Sequence, residues 1–564
     1  MKIQNLHDSD LDYPLQLIKQ FPHSRLFSKD LDNFVYSEPQ TKVCILFGVR
    51  RTGKTTAMLQ CISRMAEKER KKAVFFQISK PRKKNDQILS GDSLWDLLKE
   101  MREYLHSGYK YFFVDEATNL LDFNQGAEIL SDIIALQGAK IILSGTDSLC
   151  LDDARSDALL GRSVTISTSF ISFSEWSLLT NSNEIDTFAR QGGILGDGQQ
   201  IQAIFGIDSG CTEYIQSAYA RNIEHSIAER KISNIPDEVI DLIEEGRFEG
   251  AVQRIVEDLN LRITLKALRK EFSLSAIGSL RNLISEDYRR LAFFPNQNIE
   301  SINRQYQAFQ EIDEQQLIQW MALCLRIRDE RELSNKLTID KYIPISEIIV
   351  KFLKIEFARL QVLIPFPILK IQNDSSIIEQ SKNLLIQHGL KYFQAKTMAE
   401  CLFKTPAIKS LPIDDKKSLL IRMEQDILGH IIEEIVLIDL LKIKQSNKLD
   451  DIYICTLGLP SGEIDLALFN EKNHELALFE IKHSKTQNNN QARHLMNEKN
   501  ISLINQSFKE YKIVRKTVLI NNPHFEPFSS EDISWMDVSQ FIREAEKNLF
   551  SAFIDPTTEL NKDI

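Results

Sequence analysis

Two glycines, a lysine and three threonines stand together near the start of the 564-residue chain, in Gly48-Val49-Arg50-Arg51-Thr52-Gly53-Lys54-Thr55-Thr56. The first eight fit the spacing GxxxxGK followed by Ser or Thr, which a chain of this length meets by chance about 2% of the time. Glycines at those places let backbone N–H groups turn inward around phosphate oxygens. A helix opening at Gly53 adds the partial positive charge of its N-terminus. In such a loop Lys54 would contact the β- and γ-phosphates of a nucleoside triphosphate, and Thr55 would hold Mg²⁺. Gly48, Arg51, Thr52, Gly53, Lys54, Thr55 and Thr56 are therefore the candidate nucleotide-binding residues. A glycine turn without a ligand is the alternative.

About sixty residues on, Tyr111-Phe112-Phe113-Val114-Asp115-Glu116 is an apolar run ending in two carboxylates. Asp115 at a strand end can join the Mg²⁺ shell, often through water. Glu116 can then polarise the attacking water. A solvated strand end is the bland alternative, and the preceding loop argues against it. Ile141-Ile142-Leu143-Ser144-Gly145-Thr146 is a further run ending in hydroxyls. Ser144 or Thr146 could sense the γ-phosphate, or simply cap a helix. Arg162, after Gly161, could stabilise phosphoryl transfer within its own chain or in a neighbour, or be an ordinary surface arginine. No NKxD element to read guanine is visible within residues 38–182, which favours ATP.

A second constellation lies near residue 470. Glu463-Ile464-Asp465 begins an apolar run, and Phe479-Glu480-Ile481-Lys482 follows fifteen residues later. Alternation puts Glu480 and Lys482 on one strand face. Asp465 and Glu480 would share Mg²⁺, which lowers the pKa of bound water and stabilises a leaving oxygen. Lys482 would orient that water and offset transition-state charge. Exposed Glu and Lys that merely solvate a strand are the alternative. For His483 and His494 solvation is the safer reading.

The elements that must hold these residues are legible in outline. Lys42 to Phe47, Ala73 to Ile78, Tyr111 to Val114 and Lys140 to Leu143 read as strands. Gly53 to about Lys68, Asp92 to His106 and Ala127 to Leu136 read as helices between them. This alternation implies a parallel sheet covered by helices. Glycines cluster between 183 and 210, as in a hinge. Residues 211 to 425 are mostly helical by periodicity, interrupted by Val362 to Leu369. A helix, Ile427 to Leu441, then precedes strand-like Asp451 to Leu457, Ile464 to Phe469, Leu476 to Ile481 and Lys516 to Ile520. The expected architecture is α/β: an N-terminal extension (1–37), a P-loop core with a parallel sheet (38–182), a helical middle region (183–425) and a mixed α/β domain (426–564).

Composition sets limits. Hydrophobic residues make up 43% and charged residues 26%, ordinary values for a globular protein. The net charge of −10 argues against wholesale electrostatic binding to nucleic acid but allows a local basic face. Seven cysteines without CxxC spacing favour buried hydrophobes over disulfides or zinc. The N-terminus lacks a signal-peptide core, and no stretch approaches a membrane span, so the expected location is the cytoplasm, with no membrane partner.

Residues 40 to about 180 resemble the prokaryotic AAA-type ATPases allied to the archaeal and STAND ATPases. The resemblance rests on GVRRTGKTT, YFFVDEATNL, KIILSGTDSL, Gly161-Arg162 and Phe170-Ile171-Ser172-Phe173-Ser174-Glu175-Trp176. Gly192-Gly193 and a helix over Tyr214 to Arg230 also fit it. It implies a winged-helix segment and a C-terminal domain related to PD-(D/E)xK nucleases. In that comparison Glu433 matches a helical acidic residue near the metal, and Gln491 a downstream polar one. Leu390-Lys391-Tyr392-Phe393 resembles a segment preceding the domain.

Arg262 to Arg281 could be a helix-turn-helix or a charged helical hairpin. Lys68 to Lys84 is also basic, and could meet phosphates or solvate an edge. The expected function is ATP binding and hydrolysis coupled to a nuclease-like domain acting on DNA, with a homo-oligomer left open. The alternatives are a nucleotide-dependent signalling switch whose C-terminal domain binds a partner without cleavage, and an assembly scaffold.

Overall fold

The computed structural model describes residues 2–5, 18–19, 21–49, 52–79, 82–84, 87–145, 148–168, 171–191, 220–228, 235–248, 251–252, 304, 346–389, 391–392, 406–484, 487–530 and 532–553. Arg51, Thr146, Phe170, Gly192-Gly193, the Arg262 to Arg281 segment and most of the middle region lie outside them.

The N-terminal sheet is built from β1 (Lys2–Asn5), β2 (Val43–Phe47), β3 (Ala73–Gln77), β4 (Tyr111–Asp115), β5 (Lys140–Ser144) and β6 (Ser163–Ser167). The order is β1-β3-β4-β5-β2-β6. All pairings are parallel except that of β1, which runs antiparallel to β3. Strands β2, β4 and β5 are buried at every residue, as expected for a parallel sheet covered on both faces. One face carries α1 (Ser28–Tyr36) and α2 (Lys54–Arg64), through Leu31, Phe34, Met58 and Ile62. The other carries α3 (Leu94–His106), through Leu94, Leu97, Leu98 and Met101. A capping box at Ser93 and Asp96 starts α3, satisfying N–H groups that would otherwise lack partners. The helix expected over Ala127 to Leu136 is instead a π-turn, Leu130–Ile134, running into a 3-10 turn, Ala135–Gln137. The segment before residue 38 belongs to this sheet structurally. Lys140 is fully buried under it, donating to Ser37 Oγ at 2.9 Å and to the Glu38 carbonyl at 2.8 Å.

Helix α4 (Ser148–Ser156) precedes β6, and α5 (Phe173–Thr180) and α6 (Ile185–Gln191) follow it. Helix α7 (Glu347–Arg359) leads into a hairpin, β7 (Leu363–Ile371) and β8 (Ile377–Leu385). Helix α8 (Ile413–Ser446) is 34 residues long. Then follow β9 (Ile452–Leu459), β10 (Gly462–Asn470), β11 (Glu475–Lys482), α9 (Glu498–Ser507), β12 (Lys512–Ile520), β13 (Phe528–Ser530), β14 (Ile533–Asp537) and α10 (Val538–Lys547). The second sheet is mixed, in the order β8-β7-β9-β10-β11-β12-β14-β13.

The β7–β8 hairpin differs from the sequence reading, which took Val362 to Leu369 as an interruption among helices. Pro365 and Pro367 precede the stretch Ile368 to Lys370 that pairs with β9, so neither removes a ladder bond there. Helix α8 also begins fourteen residues before the expected Ile427. A single apolar core joins α5 and α6, through Phe173, Trp176, Ile185 and Phe188, to α8, β11 and α10. The segment after the first sheet is thus packed into the second domain. Cys44, Cys61, Cys150 and Cys455 are buried and not joined in disulfides. No described helix is long and apolar enough to cross a membrane.

Candidate functional site

Strand β2 ends at Phe47, and the chain turns through the glycine loop into α2. Gly53 takes φ 85°, a left-handed conformation that costs a side chain energy and glycine little. Lys54 is buried, and its Nζ donates to the carbonyls of Gly48 at 2.6 Å and Val49 at 2.8 Å. The ammonium is therefore held across the loop. Because β5 is inserted between β2 and β4, two hydroxyls, one from α2 and one from β5, meet at one carboxylate of β4. Thr55 Oγ1 donates to Asp115 Oδ2 at 2.8 Å, and Ser144 Oγ donates to Asp115 Oδ1. Asp115 is buried. Thr52 is fully buried, bonded through Oγ1 to the Val49 carbonyl at 3.0 Å and to Thr168 Oγ1 at 3.0 Å. Thr56 is half-buried at the third position of α2.

Glu116 has φ 59°. A non-glycine residue there carries about 1–3 kcal/mol of strain, and such strain collects where a side chain must be aimed. Glu116→Gln is expected to keep nucleotide binding while lowering turnover about 100-fold or more. Parallel titration of binding and phosphate release checks this; unchanged release would take Glu116 out of the reaction.

Arg162 is elsewhere. Its carbonyl accepts from Val43 N, at the start of β2, and its guanidinium pairs with Asp132 at 3.0 Å, both half-exposed. The loop leaves the far end of that strand, roughly 13 Å away at 3.3 Å per residue. The guanidinium is therefore paired away from the glycine loop of its own chain.

Sequence reasoning missed Arg25 and Glu175. Arg25 Nε pairs with Glu175 Oε1 at 2.6 Å, with both side chains about 5% exposed or less. The same guanidinium donates to the Thr52 carbonyl and, at 3.4 Å, to that of Thr168. Leu26 N also donates to Glu175 Oε1, at 2.7 Å. The available signal was Ser172-x-x-Glu175, a capping-box spacing. Ser172 Oγ does accept from Glu175 N at 3.2 Å, but the carboxylate turns to Arg25.

In the second domain the antiparallel register pairs Leu466 with Phe479. The next position brings Asp465 beside Glu480. Lys482 Nζ lies 2.8 Å from Asp465 Oδ2 and 2.5 Å from Glu480 Oε2. Ile481 N donates to the same Asp465 oxygen at 2.7 Å. Burial, and then the Asp465 charge, push the Glu480 carboxyl up to about 8. Burial works against the Lys482 charge, but Asp465 and Glu480, with Glu433 contributing, hold it protonated beyond its ordinary range. Gly462, at φ 152°, opens β10; a Cβ there would lie 2.4 Å from His494 Cε1. His494 thus packs on the strand that carries Asp465. Gln491 is spent locally, accepting from Asn488 N at 3.0 Å.

Asp465, Glu480 and Lys482 therefore converge, and Glu433 acts on Lys482 by its charge alone. It sits on α8 with His430 Nδ1 at 3.3 Å. Among the described residues no three His, Cys, Asp or Glu side chains are grouped to hold a metal ion. Of the expected set of Glu433, Asp465 and Glu480, the strand pairing brings Asp465 and Glu480 together. Those two still fit a hard cation, because Glu480 Oε1 is buried with no hydrogen-bond partner and oxygen donors suit Mg²⁺.

The five parallel strands, their covering helices and the glycine loop fit a P-loop NTPase core. Residues 40–177 match the model of a family described as an AAA domain, a class of unit that binds and hydrolyses nucleotide. None of the curated proteins matches the chain. Among solved structures, the chain is similar to the S. cerevisiae Hsp104-ADP complex at 12% identity, over 80% of this chain and 62% of that one, with a TM-score of 0.24. The chain thus spans less than two thirds of that protein's length.

Proposed function

We propose that the protein binds and hydrolyses ATP at the Gly48–Thr56 loop and that nucleotide state controls a C-terminal nuclease-like domain acting on DNA. The observation that carries the first half is the meeting of Thr55 and Ser144 on the buried Asp115, beneath a loop crossed by the Lys54 ammonium. A triphosphate entering the loop would take the Lys54 ammonium from the Gly48 and Val49 carbonyls. Thr55 and Asp115 would hold Mg²⁺, which offsets phosphate charge. Glu116 would accept a proton from the attacking water, and Ser144 would report the phosphate to the sheet.

For the second half, Asp465 and Glu480 supply oxygens for a cation, which when bound would activate water and stabilise a leaving phosphate oxygen. Lys482 would then orient water and offset charge. The apolar core shared by α5, α6 and the second domain supports control by nucleotide state. The lack of a third carboxylate grouped with Asp465 and Glu480 among the described residues favours one rival: a switch whose C-terminal domain binds a partner without cutting.

The test uses the full chain with Mg²⁺ and supercoiled plasmid DNA, with and without ATP. Nicking or linearisation that depends on ATP is expected. ATP turnover without cutting under any condition would select the rival; no turnover would sink both.

A further inference from the structure

The helices α5 and α6 touch the two candidate sites at once. At one end, Glu175 of α5 forms the buried pair with Arg25, whose guanidinium also holds the Thr52 carbonyl inside the phosphate loop. At the other, Asp186 of α6 lies 3.0 Å from His483 Nε2, one residue beyond Lys482, and accepts from Asn521 Nδ2 at 2.7 Å. Between them, the first N–H of α5, at Phe173, donates to Asp439 Oδ2 of α8 at 2.8 Å, fully buried. We propose that the Arg25–Glu175 pair positions the phosphate loop, and that α5 and α6 carry a change in that loop to the Asp465–Glu480–Lys482 cluster through Asp186 and His483.

The physical argument rests on stiffness at one joint and frustration at the other. The Arg25–Glu175 pair is out of water, so parting its members leaves an uncompensated buried charge. A loop drawn toward phosphate moves Thr52, and Arg25 must follow with Glu175 and α5. The seam where α5 and α6 meet the second domain is less well satisfied. Ser174 Oγ, Asp439 Oδ1, His483 Nδ1 and both polar side-chain atoms of Gln387 and His388 are buried there without a hydrogen-bond partner. His388 packs its ring on Phe188 of α6, with centroids 5.6 Å apart. Burial of unpaired polar groups is costly, so a shifted arrangement that pairs some of them lies within reach of the energy a bound nucleotide supplies.

This inference depends on the ATP reading above, and the experiment separates the two. Amide hydrogen exchange of residues 475–484 is followed in the full chain, with and without the non-hydrolysable analogue AMP-PNP and Mg²⁺. Binding of the analogue is measured on the same samples. In the wild type, bound analogue is expected to change exchange in 475–484. Glu175→Gln should weaken analogue binding and abolish that change at saturating analogue. Asp186→Asn, far from the loop, should keep ATP turnover within about twofold and still abolish the change, so the test survives even if the buried Glu175 variant fails to fold. A wild-type chain that binds analogue without altering 475–484, or an Asp186→Asn chain that keeps the change, overturns the proposal and leaves the ATP reading standing. A wild-type chain that binds no analogue overturns both.

Discussion

Lys54→Ala is expected to lower ATP turnover by about 100-fold to 1,000-fold, the loss seen when one preorganised donor to developing charge is removed. The ammonium is buried within the loop on two of its carbonyls, at 2.6 and 2.8 Å, from which an arriving phosphate would draw it. Alanine leaves the backbone amides in place but removes the full positive charge that faces the polyphosphate. Lys54→Arg is not a rescue, because a planar fork is wider than a compact ammonium and meets different geometry. Steady-state phosphate release and equilibrium nucleotide binding measure the effect. An alanine variant that turns over ATP at the wild-type rate would mean that the loop is not the site.

At the second site the largest effect is expected from Lys482→Ala. One ammonium there bridges the Asp465 carboxylate and the Glu480 carboxyl, which lie side by side in a buried strand pair. Removing one member of a buried charge cluster costs about 3–5 kcal/mol, less whatever Glu480 recovers by keeping its proton. A dication can replace the missing charge. Chemical denaturation should therefore show a weakened variant that Mg²⁺ restores in part, beside a wild type on which Mg²⁺ acts weakly. DNA cutting, if the wild type shows it, should be lost in Lys482→Ala and in Asp465→Ala alike. A Lys482→Ala chain as stable as the wild type and indifferent to Mg²⁺ would show that the two carboxylates are not a cation site.

The parts most readily read from sequence are those where one force dominates. VCILF and YFFVD are buried at every residue, so continuous apolar runs marked them as central strands, and the glycine–lysine spacing marked the loop between. Helix α3 was legible because its apolar residues lie on one face. The β7–β8 hairpin was not. Two prolines speak against a strand, and most of β8 faces solvent, so neither propensity nor periodicity signals it. Its pairing is decided by β9, some eighty residues away. Arg25 and Glu175 were illegible for the same reason: their environment is made by elements 150 residues apart. The fate of Glu433 was equally a matter of packing, since a carboxylate on a helix has no sequence mark for the direction it faces.

The hairpin has a practical corollary for dissecting the chain. Severing it at residue 426 would cut inside α8 and strip β7 from the flank of β9. The fragment would carry a raw rim of unpaired amides and carbonyls, the kind that recruits strands from other molecules and leads to clumping. A fragment meant to stand alone should instead start upstream of Leu363, so that the rim arrives already sealed.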